Sequence, residues 1–504
     1  MKYVVGTILL VMLGAKVWLA AHLDLYADEV FYYQCSLRPA LAYADLPPLT
    51  AMCAKLGTWA FGASPFGVRL PFLVLGFLVP LVLYHLACPL TNRQQAAITA
   101  GIALILPQLA FLSIFAIPDV LLAIETAAFL LFFERATRTD DLKYWLSAGV
   151  VAGLGLMTHY RFATTIAAVF IYLVSTQRGR ACLRRPGIWL TGFAALPGLG
   201  PALIYNWQHD FEPLRYFLLT RHDSHIRPRV WADHLLEQMA VVSPVLWALL
   251  IFTLFRMWRK ARSGDDRAGL FVIFAVVPLG LFWLASPLQT TGAQSFHWAL
   301  PGYLPLLVYL PETMTHLARS GRQFFLGRLW VWSGLGLAVA MLALAMLELG
   351  TGWVGIRGFR EPFTGWSQAV RATQDTLEAL KAKGVRPQVI VADNYKLGGQ
   401  LELALGEDWE VYILAHSKNF EHGRERQYDR WDIGERALRN HAGAQVLVVV
   451  QWSELAGSKA FWQEHLDWFF NPLEPLGEFQ FIDGSDPKYD KKFTFYLGRI
   501  IEKR

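Results

Sequence analysis

Long apolar runs separated by short polar loops dominate the first 350 residues. They cover 3–23, 67–87, 95–116, 119–133, 145–158, 161–176, 188–205, 237–256, 268–285, 297–313 and 329–349. A straight membrane helix needs about 20 apolar residues, so this pattern predicts about 11 spans. The pieces at 119–133, 145–158 and 161–176 fall short and read as half-helices. The first run exceeds a signal-peptide core and lacks a small-x-small cleavage site, so it reads as a retained anchor. After residue 350 the apolar spans stop. VIVADN (389–394) and AQVLVVVQW (444–452) read as buried strands of a parallel sheet. WSQAVRATQDTLEALKAKG (366–384) reads as an amphipathic helix ending at a glycine, and GGQLELAL (398–405) as a second, short one. The expected architecture is an α-helical polytopic membrane domain (1–350) with an outer loop at 24–66, followed by a soluble α/β domain (351–504). The link around 350–362 is the boundary. The chain shows neither an internal repeat nor a low-complexity tract.

Composition agrees: 54% hydrophobic, only 17% charged, and 19 Trp, a residue that suits interfacial belts. Loop charges set the orientation. Arg135, Arg138 and Lys143, then Arg178, Arg180, Arg184 and Arg185, then Arg256, Arg259, Lys260, Arg262 and Arg267, then Arg319, Arg322 and Arg328 mark one side as cytoplasmic. The other side holds 24–66, 206–236, 286–296 and everything after 350. In a bacterium this is the periplasmic face of the inner membrane. The loop at 206–236 is also basic (Arg215, Arg221, Arg227, Arg229). Long loops cross regardless of charge, and binding an anionic headgroup is the alternative reason. The net charge of +6 carries no basic stripe interleaved with aromatics, so no nucleic-acid partner is expected. The four cysteines show no zinc spacing; Cys35 and Cys53 share the outer loop, which leaves open either a disulfide or two buried thiols.

The candidate chemistry lies on the outer side. Asp28 and Glu29 follow the first apolar run, where adjacent carboxylates need solvent, a partner or a function. Pro47–Pro48 stiffens the loop behind Asp45. Arg69 stands at the start of the second span. Asp119 follows Pro118 at the start of the fourth, a position also typical of a helix terminus. THYRF (158–162) adds His159, Tyr160 and Arg161, YNWQHDF (205–211) opens the basic loop, and His297 ends the loop before another span.

This ordered set resembles the polyprenyl-phosphate-sugar-dependent glycosyltransferases of GT-C type. That superfamily contains the protein O-mannosyltransferases and the aminoarabinose and galacturonic acid transferases of lipid A and core. The resemblance rests on Asp28–Glu29, DLPPL (45–49), FGVRLP (66–71), PD (118–119), GLGLMTHYR (153–161), YNWQHDF and HWALPGYLPLL, with EPFTGWSQAV, NYKLGGQLELAL and QYDRW in the outer domain. It implies inverting transfer of a sugar from a polyprenyl-phosphate donor, in membrane lipid, to a glycolipid or glycan acceptor. Asp28 is then the general base, with Glu29 and Asp119 as further catalytic candidates. Asp45, His159, Tyr160, Arg161, Arg221 and His297 are expected to bind substrate, the cations among them at the phosphate. No metal is obligatory, although Asp28, Glu29, Asp45 and Asp119 are chemically able to hold a divalent ion. The chain departs from the pattern at Leu46, where some members carry Lys or His before Pro–Pro, and at His159, where many carry Lys. A transporter or flippase of a lipid-linked sugar is the competing reading; it predicts repeated halves.

Overall fold

The structure is a computed structural model and describes residues 2–216, 219, 226–288, 296–319, 324–421, 423–452 and 459–501. All eleven apolar runs fall on helices. Among the described residues, four helices are long and apolar enough to cross a membrane: Pro65–Ala87, Pro186–Gln208, Asp266–Leu288 and Phe325–Thr351. The count becomes six if each of two bent pairs is one span. The other runs are shortened by breaks or by charge. The run at 95–116 divides into Arg93–Ile105 and Pro107–Leu112, because Pro107 cannot donate to the preceding turn. Pro118–Thr139 has the length, but Asp119, Glu125, Glu134, Arg135 and Arg138 lower its apolarity. Arg229–Val242 and Pro244–Arg262 meet at 107°. Their joint is Ser243, at φ 87°. The helices make this a membrane protein.

The chain forms two compact units. One comprises 1–17, 46–50 and 71–345; the other comprises 18–45, 51–70 and 346–504. In the first, Leu142–Thr158 packs closely on Pro186–Gln208 through small residues. A Cβ on Gly198 would lie 2.0 Å from the Gly153 carbonyl oxygen, so glycine is required there.

The second unit joins the first outer loop to the C-terminal third. The stretch read as loop holds two helices, Ala27–Leu37 and Leu49–Phe61. The sheet has strands β1 (Val389–Ala392), β2 (Val411–Ile413), β3 (Gln445–Gln451), β4 (Phe470–Phe481) and β5 (Lys491–Ile500) in the order β2-β1-β3-β5-β4. β1, β2 and β3 are parallel as expected. β5 pairs antiparallel with β3 and with β4, so the sheet is mixed. Core side chains cover both faces: Ile390, Leu447 and Phe495 lie on one, Val391, Val448 and Tyr496 on the other. Helices Trp366–Ala382 and Tyr395–Leu405 match the amphipathic segments.

Sequence-distant contacts bind the outer loop to this domain. Asp24 Oδ2 accepts from the backbone N–H groups of Trp366 (2.8 Å) and Ser367 (3.2 Å), capping that helix from 342 residues away. Gln400 Nε2 donates to the Leu25 carbonyl (2.6 Å), and Ala44 N–H to Gln427 Oε1 (2.9 Å). The Gly398–Gly399 pair serves packing. A Cβ on Gly399 would come within 2.9 Å of Val30, and one on Gly398 within 2.7 Å of Ile413. Cys35 and Cys53 are not joined by a disulfide.

Candidate active site

Asp28 and Glu29 occupy the first turn of Ala27–Leu37, where a helix N-terminus favours negative charge. Their roles diverge. Glu29 is fully buried. Its Oε2 accepts from the Tyr26 backbone N–H (2.9 Å), closing a capping box. The Arg69 guanidinium grips it at both oxygens, Nε to Oε1 at 2.7 Å and Nη2 to Oε2 at 2.6 Å. Arg69 also donates to the carbonyls of Ala20, Leu23 and Asp24. This is a bidentate buried pair that fixes the helix start.

Asp28 remains partly exposed, its side chain at 28%. Oδ1 accepts from Arg424 Nη2 (2.6 Å) and Oδ2 from the Tyr26 hydroxyl (2.6 Å). The same Arg424 nitrogen reaches Asp45 Oδ2 at 3.4 Å. The Arg424 guanidinium is buried between the rings of Phe31 (4.2 Å) and Tyr395 (4.6 Å). Its Nε and Nη1 have no hydrogen-bond acceptor among the described residues. Sequence reasoning missed Arg424. Its signal was the charge-dense stretch EHGRERQYDRW, of which only QYDRW was singled out.

The other unit holds the second charged cluster. Pro118 occupies the first helical position, which puts Asp119 in the first turn with Ile117 as cap. Asp119 therefore does not cap its own helix. Its carboxylate forms a fork with Arg161, Oδ1 to Nη1 at 2.7 Å and Oδ2 to Nη2 at 3.2 Å. Arg161 lies over the Trp298 ring at 5.4 Å, and its buried Nε has no acceptor among the described residues. His297 Nε2 stands 3.8 Å from Asp119 Oδ2. His159 Nδ1 accepts from the Arg161 backbone N–H (3.1 Å), fixing the turn Tyr160–Phe162. Asn206 Nδ2 donates to the Tyr160 hydroxyl (3.3 Å). Asp119, His159, Tyr160, Arg161 and His297 thus share one neighbourhood, and Asp28, Glu29 and Asp45 share another. Arg221 lies outside the described residues. Leu46, the departure before Pro–Pro, is buried.

Comparison with known proteins gives the architecture a family setting. ArnT from Cupriavidus metallidurans in the apo state superposes at TM-score 0.63 over 98% of both chains, at 13% identity. Its complex with undecaprenyl phosphate gives TM-score 0.62 over the same shares. The chain has the GT-C fold. The archaeal oligosaccharyltransferase AglB from Archaeoglobus fulgidus, in complex with an inhibitory peptide and a dolichol-phosphate, also matches this GT-C fold. It does so at TM-score 0.52 and 12% identity, over 98% of this chain and 74% of that one. The family model described as dolichyl-phosphate-mannose-protein mannosyltransferase matches residues 45–205. The lipid A galacturonosyltransferase RgtD of Rhizobium johnstonii is 27% identical over 311 residues, 59% of this chain and 63% of the relative. The undecaprenyl phosphate-alpha-4-amino-4-deoxy-L-arabinose arabinosyl transferase of Erwinia tasmaniensis is 23% identical over 322 residues, 61% and 56% of the two lengths. The chain thus spans about three fifths of the length of the curated relatives it matches. The chain resembles the bacterial polyprenyl-phosphate-sugar-dependent glycosyltransferases of this GT-C type.

Proposed function

We propose that this protein is an inverting glycosyltransferase. It moves a sugar from a polyprenyl-phosphate donor to a glycolipid or glycan of the cell envelope, on the periplasmic side of the inner membrane. The donor class is supported by a relative whose name specifies an undecaprenyl-phosphate sugar, and the acceptor class by one whose name specifies lipid A. The single observation that carries the chemistry is Asp28, a partly exposed carboxylate held in place by Arg424 and Tyr26.

In the proposed step the acceptor oxygen attacks the anomeric carbon. The new C–O bond forms as the bond to the phosphate oxygen breaks, and the hydroxyl proton passes to Asp28. The departing group is a polyprenyl phosphate, already a stable anion, so no strong general acid is needed. Within the other unit, Arg161 carries a buried Nε–H with no acceptor among the described residues and His297 stands beside it at Asp119, which is the donor chemistry a phosphate takes. Asp119 keeps the guanidinium aimed. Glu29 acts by holding Asp28's helix rather than by touching substrate. The carboxylates named above hold guanidinium groups. The leaving group carries a single phosphate, which needs less charge neutralisation than a diphosphate, so the proposed step requires no metal.

Turnover tests the reading. Purified protein given a labelled polyprenyl-phosphate sugar and envelope glycolipid should release free polyprenyl phosphate. Movement of intact donor across a vesicle membrane without release would support a flippase instead. Mass spectrometry of envelope glycolipids with and without the gene identifies the acceptor.

A further inference from the structure

The second unit carries a cleft of about 640 Å³ that the proposed chemistry does not use. One wall comes from the outer-loop helices and the other from the segments around β2, so both belong to the same compact unit. Three tryptophans, Trp59, Trp409 and Trp431, line it together with Tyr33 and Tyr412. Trp59 is 80% exposed, an expensive way to display an indole unless something covers it. The polar lining is equally particular. Arg38 donates to Glu402 at 2.5 Å and lies over the Trp431 ring at 5.1 Å, while Gln34 holds the other Glu402 oxygen at 2.9 Å. Arg38 Nη1 is buried and has no hydrogen-bond acceptor among the described residues.

Aromatic faces beside a fixed guanidinium–carboxylate pair suit a sugar ring. Its C–H face stacks on an indole, and vicinal hydroxyls both donate to a carboxylate and accept from a guanidinium. The charges narrow the class. Two cations (Arg38, Lys55) face four carboxylates (Glu402, Glu407, Glu410, Asp432). An anionic sugar would be repelled, whereas a neutral or amino sugar would be accepted.

We propose that this cleft binds the carbohydrate part of the acceptor, specifically neutral or amino-bearing hexose units. Only the word acceptor rests on the transferase reading; binding stands without it, and the test is made with no donor present. Full-length protein in lipid nanodiscs is titrated with a glucosamine tetramer, chitotetraose and tetragalacturonate, following tryptophan emission and calorimetric heat. The first two should bind saturably, and tetragalacturonate at least about tenfold more weakly. Trp59→Ala should weaken the glucosamine tetramer by about tenfold or more. Glu407→Gln with Glu410→Gln should narrow the gap to tetragalacturonate. Both sets of positions are exposed, so the fold is retained. Overturning results are absence of saturable binding, preference for tetragalacturonate, or Trp59 emission quenched by brominated lipid and unmoved by sugar. Loss of turnover with sugar binding intact would reject the transferase reading alone.

Discussion

The Arg424 guanidinium sits 2.6 Å from the Asp28 carboxylate although 396 residues separate them in the chain. The outer loop supplies the carboxylate, and the C-terminal third supplies the cation that orients it. Arg424 also lies over the rings of Phe31 and Tyr395, so its position is set by packing and not by the ion pair alone.

Asp28→Asn should lower turnover by about 10²–10⁴-fold, the usual contribution of a general base, while leaving labelled donor bound. Single-turnover release of polyprenyl phosphate measures it. A near-normal rate would remove Asp28 from the role of base.

Arg424→Lys keeps the charge but loses the planar group stacked between Phe31 and Tyr395. It should reduce kcat by at least about tenfold, with Tm falling by only a few degrees, because a point charge does not reproduce a stacked fork. Parallel kinetics and thermal unfolding separate the two effects. Equal kcat in both proteins would show that Asp28 needs no fixed partner.

Arg69→Met strands the buried Glu29 carboxylate and should destabilise the protein by roughly 3–5 kcal/mol, as breaking one side of a buried pair does. The double change with Glu29→Gln should recover part of that loss. Thermal unfolding of the three variants checks the coupling, and simple additivity would argue against it.

Asp119→Asn removes one charge from the fork on Arg161 and should weaken donor binding more than it slows chemistry. The expected signature is a raised KM with kcat changed less. A fall in kcat alone would place Asp119 in the bond-making step instead.

Alkaline pH should loosen the C-terminal region. Burial pushes the Tyr412 phenol up to about 12, with Glu410 adding to it, and burial raises Tyr428 as well. A phenol whose folded value lies above its unfolded 10.0 contributes stability that is complete below that value and is lost as pH climbs through the folded one. Melting temperature should therefore fall between about pH 10 and about 12. Tyr428→Phe should flatten part of the decline.

Much of this fold was legible because long apolar runs and β-rich apolar strands are strong signals. The eleven runs fall on helices, and VIVADN and AQVLVVVQW contain β1 and β3. The helices at 27–37 and 49–61 escaped notice because their apolar faces are short and their stability comes from tertiary contacts such as Gly399 against Val30. β4 was hidden by Pro472, Pro475 and two glutamates in a mostly exposed strand. In the candidate site, carboxylates at the edges of apolar runs were visible from position alone. Their partners were not: nothing local to Asp28 points to Arg424, and Glu29 looked like its twin until Arg69 claimed both of its oxygens.

The cap that Asp24 provides to Trp366 and Ser367 makes the beginning and the end of this chain a matched set. Exchanging only the last third between homologues would leave a helix start without its acceptor and Asp28 facing an unfamiliar partner. Folded chimeras should therefore require residues 18–45 and 51–70 to travel together with 346–504.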